Sequence, residues 1–127
     1  SYCKKFHHRL ILPVNLLFVC SRNKWRSPTA ETLYRRDPRV AVRSAGISSS
    51  ASKKISSQNI SWADLILVME NKHKKAIVRQ YRHLELPQII VLDIPDDYQY
   101  MSAELINMIQ TSTENILSDI LPKFGSE

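Results

Sequence analysis

The segment Cys20-Ser21-Arg22-Asn23-Lys24-Trp25-Arg26-Ser27-Pro28 joins a thiol to a guanidinium through five intervening residues, with a hydroxyl directly after it. A phosphate dianion held in such a loop meets backbone N–H groups, the positive end of the helix that follows, and the two-pronged donor of Arg26. Positive surroundings also favour the thiolate form of a cysteine over the thiol. One loop can therefore bind an anion and present a nucleophile to it, and Ser27 can donate a hydrogen bond to the sulfur. A cysteine and an arginine at this spacing occur by chance in many chains. Placement between an apolar strand and a helix start is what gives this pair its weight.

The elements around the loop follow from pattern. Val14-Asn15-Leu16-Leu17-Phe18-Val19-Cys20 is a mostly apolar run ending in polar residues, the signature of a buried strand in a parallel sheet. Ser27-Pro28 predicts a helix start, with Ser27 as cap and Pro28 in the first helical position. Ala30, Leu33 and Tyr34 give that helix an apolar face, and Asp37-Pro38 stops it. Val40 and Val42 predict a second strand running into Ser44-Ala45-Gly46, and 48–61 reads as a Ser- and Lys-rich surface loop with at most a turn of helix. Leu65 to Met69 is a third strand, followed by a charged helix over 72–82. Ile89 to Leu92 is a fourth strand, followed by a polar loop over 93–101. A last helix carries Ala103, Leu105, Ile106, Met108, Ile109, Ile116, Leu117, Ile120 and Leu121 on its buried side. Alternation of strand and helix implies an α/β fold: three layers, α/β/α, around a mostly parallel four-stranded sheet. Ligands of such sheets sit at the carboxyl ends of the strands, here at Ser21 to Ser27, Ser44 to Gly46 and Asp93 to Tyr98. Residues 1–13 read as an N-terminal extension, 14–121 as one domain and 122–127 as a C-terminal tail.

The 127 residues are 43% hydrophobic and 24% charged, a composition that argues against disorder and coiled coil. No apolar run reaches the ~20 residues of a membrane-spanning helix, and Leu10 to Cys20 lacks a cleavage site, so a cytoplasmic protein without a membrane partner is expected. Eighteen Lys and Arg against 12 Asp and Glu give a charge of +6, which favours anionic partners. Cys3 and Cys20 form no disulfide framework, and no spacing points to a metal. His7, His8, His73 and His83 read as solvated side chains, and Asn59-Ile60-Ser61 as a chance glycosylation sequon. Lys72, Lys74, Lys75, Arg79 and Arg82 raise nucleic-acid binding, but no aromatic platform accompanies them and that reading is disfavoured.

Val19-Cys20 through Ser27-Pro28, continued by Thr29-Ala30-Glu31, resembles the phosphate-binding loop of the low-molecular-weight protein tyrosine phosphatases. Ser44-Ala45-Gly46, Ala63 to Met69, and Ile94-Pro95-Asp96-Asp97-Tyr98 resemble the family's second-strand element, third strand and acid loop. The likeness runs from about 14 to 118 and is greatest to a short bacterial branch of predicted protein tyrosine phosphatases. It implies a cysteine-dependent phosphomonoester hydrolase, most simply a protein tyrosine phosphatase, acting through a phosphocysteine on a phosphorylated protein or small phosphomonoester. Cys20 would be the nucleophile, Arg26 the clamp on the equatorial oxygens and Asp96 the acid, with Asp93 and Asp97 as competitors for that last role. Ser21, Arg22, Asn23, Lys24, Trp25, Ser27 and Tyr98 would contact or hold the substrate, and Ser44 would support the kink at Asn23. No cofactor or metal is implied, since Arg26 and the loop amides supply positive charge.

Departures from the family pattern bear on the substrate. Arg22 replaces a glycine, Lys24 an often apolar wall residue, Trp25 a frequent second cysteine, and Asp97 a proline. Without a second cysteine nearby, disulfide-based arsenate reduction is disfavoured. The short stretch between Gly46 and Asp64 leaves phosphotyrosine specificity open. Alternatives are a phosphatase of phosphoarginine or a small phosphorylated metabolite, a phosphate-binding module with little turnover, and a cysteine phosphocarrier, which Arg26 and the downstream aspartates disfavour.

Overall fold

The apolar run that begins the domain forms strand β1, Val14–Cys20, and three further strands follow: β2, Val40–Gly46; β3, Leu65–Val68; and β4, Gln88–Val91. Between and after them lie helices α1, Arg26–Tyr34; α2, Ser57–Trp62; α3, Asn71–Gln80; and α4, Ala103–Ile120. This is a computed structural model, and it describes residues 12–121. The expected extension, apart from Leu12 and Pro13, and the expected tail lie outside the described residues, as do Cys3, His7 and His8.

The sheet is wholly parallel, in the order β2-β1-β3-β4. β1 is central, and the period of two splits its side chains between two cores. Val14, Leu16, Phe18 and Cys20 pack with Ala30 and Tyr34 of α1 and Leu105, Ile109 and Leu117 of α4. Leu17 and Val19 face the other way, toward Ile60 of α2 and Ile77 of α3. Burial on both faces explains why β1 and β3 read as continuous apolar runs. Cys20 stands opposite Gly46 in the register and Phe18 opposite Ser44, so the ends of β1 and β2 open together.

Several local expectations are corrected. The stretch 48–61 is more than a surface loop: Ile55 and Ile60 are buried, and Ser56 caps α2 by accepting from the Asn59 N–H at 3.2 Å. Two apolar anchors and a reciprocal cap suffice to order a short helix in a polar sequence. Asn59, the sequon residue, spends its side chain on that cap. The helix expected over 72–82 starts and stops earlier, with Tyr81 as its C-cap. Ala103 is exposed rather than buried, because it opens α4 beyond the edge of the core. α1 is not capped by Ser27; Trp25 holds the N-cap position, which leaves Pro28 third in the helix, still within the turn where its missing N–H costs nothing.

Candidate active site

Cys20 ends β1 in a buried position, with its Sγ 3.0 Å from the Ser27 Oγ. The hydroxyl that would have capped α1 is thus turned inward to the sulfur. Asn23 stands in the left-handed region with φ 54°, which Asn tolerates better than most residues. Its amide donates to the Ser27 Oγ and to the Ser44 Oγ, both at 2.9 Å. Ser44 in turn donates to Glu31 of α1 at 2.5 Å, and Lys53 reaches the same carboxylate oxygen at 3.0 Å. A continuous polar chain therefore runs from the surface to the thiol.

Behind the loop, residues 46–52 act as a strap. The N–H groups of Ile47, Ser48 and Ser52 donate to the carbonyls of Cys20, Ser21 and Arg22 at 3.1, 2.8 and 3.1 Å. Across a trans peptide the next N–H points the opposite way, so those of Ser21, Arg22 and Asn23 turn away from the strap. Among the described residues, the Arg22 and Asn23 N–H groups meet no protein acceptor, which leaves them available to an anion. The strap lies so close that a Cβ on Gly46 would sit 2.5 Å from the Ala51 Cβ and 2.9 Å from both the Arg22 carbonyl carbon and the Asn23 nitrogen. Only glycine fits there.

Arg26 is 2% exposed, an unusual depth for a guanidinium. One terminal nitrogen, Nη1, is held by the Glu70 carboxylate and by the Ile94 carbonyl, the latter at 2.7 Å. Burial alone would raise the Glu70 carboxyl, but the hydrogen bond and charge of Arg26, with Lys72 and His73 adding, hold it below its ordinary value. Asp96 approaches the other side of the guanidinium, its Oδ1 3.6 Å from Nε.

His73 corrects the sequence reading most clearly. It is buried, 2% exposed, and not a solvated side chain. Its Nδ1 accepts from the Glu70 N–H at 3.0 Å, and its Nε2 lies 2.8 Å from the Ser21 Oγ. Burial, reinforced by the nearby Arg26 charge, lowers its pKa to about 4, so the ring is neutral at pH 7. His83 is exposed, as expected.

Cys20, Ser21, Arg22, Lys24, Trp25, Arg26 and Asp96 line one cavity of about 60 Å³. That is far below the ~300–1,000 Å³ of a pocket that encloses a drug-sized molecule, and suits a phosphoryl-sized group. Arg22 and Lys24 are exposed at its mouth, and the Lys24 Nζ rests 4.9 Å from the Trp25 ring centre. Of the three candidate aspartates only Asp96 lines the cavity. Asp93 and Asp97 are exposed, and Asp93 takes a left-handed turn with φ 58°. Tyr98 is not among the residues lining the cavity; it is partly buried and packs against the hydrophobic core on the α1 and α4 side of the sheet.

The loop carrying Asp96 is tied at both ends. The Ile94 N–H donates to the Met69 carbonyl at 2.9 Å, while the Met101 N–H donates to the Thr29 Oγ1 at 2.9 Å and Tyr100 pairs with Thr32 at 2.8 Å. Glu70, His73, Glu31 and Thr29 are the residues that sequence reasoning missed. A signal existed for two of them, because Glu70 and His73 follow the carboxyl end of β3, and every strand end in such a sheet is a candidate ligand position.

No family model matches this chain, and no curated protein matches it. Solved structures do. The YwlE arginine phosphatase from Geobacillus stearothermophilus matches with a TM-score of 0.64 and 24% identity, over 84% of this chain and 95% of the other. The low-molecular-weight protein tyrosine phosphatase SP-PTP from Streptococcus pyogenes matches at 0.73 and 19%, over 87% and 95%. The tyrosine phosphatase Wzb from Escherichia coli K30, solved in complex with phosphate, matches at 0.63 and 23%, over 84% and 97%. The chain has the low-molecular-weight protein tyrosine phosphatase fold.

Proposed function

We propose that this chain, folded as those phosphatases are, hydrolyses phosphomonoesters through a phosphocysteine on Cys20, most simply as a protein tyrosine phosphatase. The observation that carries the reading is one small cavity lined by a buried cysteine sulfur, a buried arginine whose protein hydrogen bonds among the described residues all fall on Nη1, and one aspartate at the mouth, 3.6 Å from its Nε. The deprotonated Cys20 sulfur attacks phosphorus in line with the leaving oxygen, which departs with a proton from Asp96. Arg26 and the loop N–H groups hold the equatorial oxygens, where the charge of a loose transition state resides. Water then attacks the phosphocysteine, gives its proton to Asp96, and frees Cys20 and inorganic phosphate. Ser27, steadied by Asn23 and Ser44, donates to the sulfur as it leaves phosphorus. No step calls for a metal or cofactor, and a free thiol nucleophile suits the reducing cytoplasm.

Phosphoarginine is the second reading, raised by the arginine phosphatase among the matched structures. A protonated phosphoguanidinium would bring its positive charge over Arg22 and Lys24 at the mouth. Like charges at contact distance disfavour it. A neutral aryl or acidic leaving group fits this rim better, with the Trp25 ring beside it.

Hydrolysis of phenyl phosphate by the native chain and by Cys20→Ser tests the reading. The native protein should turn over, and the variant should lose essentially all activity while still binding phosphate, because a serine hydroxyl is a far weaker nucleophile. Substantial activity in Cys20→Ser would rule out the phosphocysteine.

A further inference from the structure

The tautomer of His73 decides which way the Ser21 hydroxyl points. His73 Nδ1 accepts the Glu70 N–H at 3.0 Å, so in the neutral ring the proton is on Nε2. Nε2 lies 2.8 Å from the Ser21 Oγ and must therefore donate to it. With one lone pair occupied by the imidazole, the Ser21 hydrogen is directed elsewhere. Ser21 is half-buried and lines the cavity with Cys20 and Arg26, and no other protein acceptor takes that hydrogen among the described residues.

We propose that Ser21 is a side-chain donor to the bound phosphate and that His73, which touches no substrate, is the residue that orients it. The inference rests on the phosphate site argued above and adds to it a residue at the start of α3 that touches Ser21 and sets the direction of its hydroxyl. Glu70 links the two halves: its N–H fixes His73 and its carboxylate fixes Arg26. The hydroxyl and the guanidinium are thus aimed from one short segment after β3.

Two substitutions separate orientation from structure. Asn at 73 can place its amide oxygen where Nδ1 stood and still accept the Glu70 N–H, but it is too short to reach Ser21. Gln can place its amide nitrogen where Nε2 stood and still donate to Ser21, but it does not occupy the Nδ1 position. Inorganic phosphate binding is measured by calorimetry, and protection of the first-turn amides of α3 by hydrogen exchange. His73→Asn should keep that protection yet weaken phosphate about 10-fold, the scale of a hydrogen bond to a charged group. Ser21→Ala should weaken it similarly, and the double variant no further than either single one. His73→Gln should stay within about 3-fold of native affinity while losing protection at Glu70.

Native affinity in His73→Asn, or additive losses in the double variant, would overturn the inference and leave the phosphate site standing. A native protein that binds no phosphate would overturn both. Should the position 73 variants fail to fold, nitrogen chemical shifts of His73 in the native chain still decide: a neutral ring protonated on Nε2 supports the assignment, and one protonated on Nδ1 ends it.

Discussion

Single residues in this site are defined by what holds them. Asp96 is half exposed and touches only the Nε side of Arg26, so removing its charge leaves the cavity in place. Asp96→Asn should slow hydrolysis of alkyl phosphates by about 10²–10⁴-fold, the usual worth of a positioned acid, and nitrophenyl phosphate by less. Asp93→Asn and Asp97→Asn should have small effects, since neither lines the cavity; comparing the three variants on both substrates checks the assignment. His73 makes a different prediction, on stability. Its folded pKa of about 4 lies below the ordinary 6.5, so below pH 6.5 the unfolded chain takes up a proton that the native one refuses. Stability should therefore be complete above pH 6.5 and fall by about 3 kcal/mol on the way to pH 4. Between pH 6.5 and about 5, urea melts should show the loss in the native chain and not in His73→Gln. The lowered carboxyls of Asp37, Glu70 and Glu114 add their own losses from about pH 5 downward, where unfolded carboxyls with ordinary values of 3.8 to 4.5 begin to take up protons.

At the scale of elements, periodicity carried most of the information. β1 and β3 were legible because burial on both faces leaves almost only apolar residues in them, and β2 and β4 from Val40, Val42 and the run Ile89 to Val91. Less legible were elements ordered by contacts distant in sequence. α2 depends on Ile55 and Ile60 finding the sheet, and the Asp96 loop depends on Thr29 and Thr32 of α1. Ser27 misled because a serine before proline is equally a cap and a hydrogen-bond donor, and only the placement of Cys20 decides between them. α4 contains a local mismatch: the Thr113 Oγ1 is buried in the core and meets no hydrogen-bond partner among the described residues. Burying a hydroxyl unpaired costs about 1–3 kcal/mol. Thr113→Val, nearly isosteric, should raise stability by about 1 kcal/mol in a thermal melt without altering turnover.

For the whole molecule, the charge of +6 and the cations around the cavity act in the same direction. Anionic substrates should be drawn in from beyond contact range, and salt should weaken that attraction. Raising ionic strength from about 0.05 to 0.3 M should lower kcat/KM for an acidic phosphopeptide several-fold, mostly through KM. A phosphopeptide with basic flanks should start lower and respond less. A salt-independent ratio between the two peptides would show that Arg22 and Lys24 do not face the bound chain. Overall charge was readable from composition, whereas the depth of Arg26 was not: its spacing from Cys20 singles it out, but its burial depends on Glu70, Ile94 and Asp96, all remote along the chain.

The strap over 46–52 leaves the molecule vulnerable at one place. Its hydrogen bonds to the loop carbonyls come from both sides of an exposed tip at Ser49 and Ser50. A single peptide-bond cleavage at that tip would spare every residue that lines the cavity and nearly all of the core. It would nonetheless free the two ends of the strap to part, and with them the peptide planes that they keep turned. The protein would lose its grip on anions through damage to a segment that never touches one.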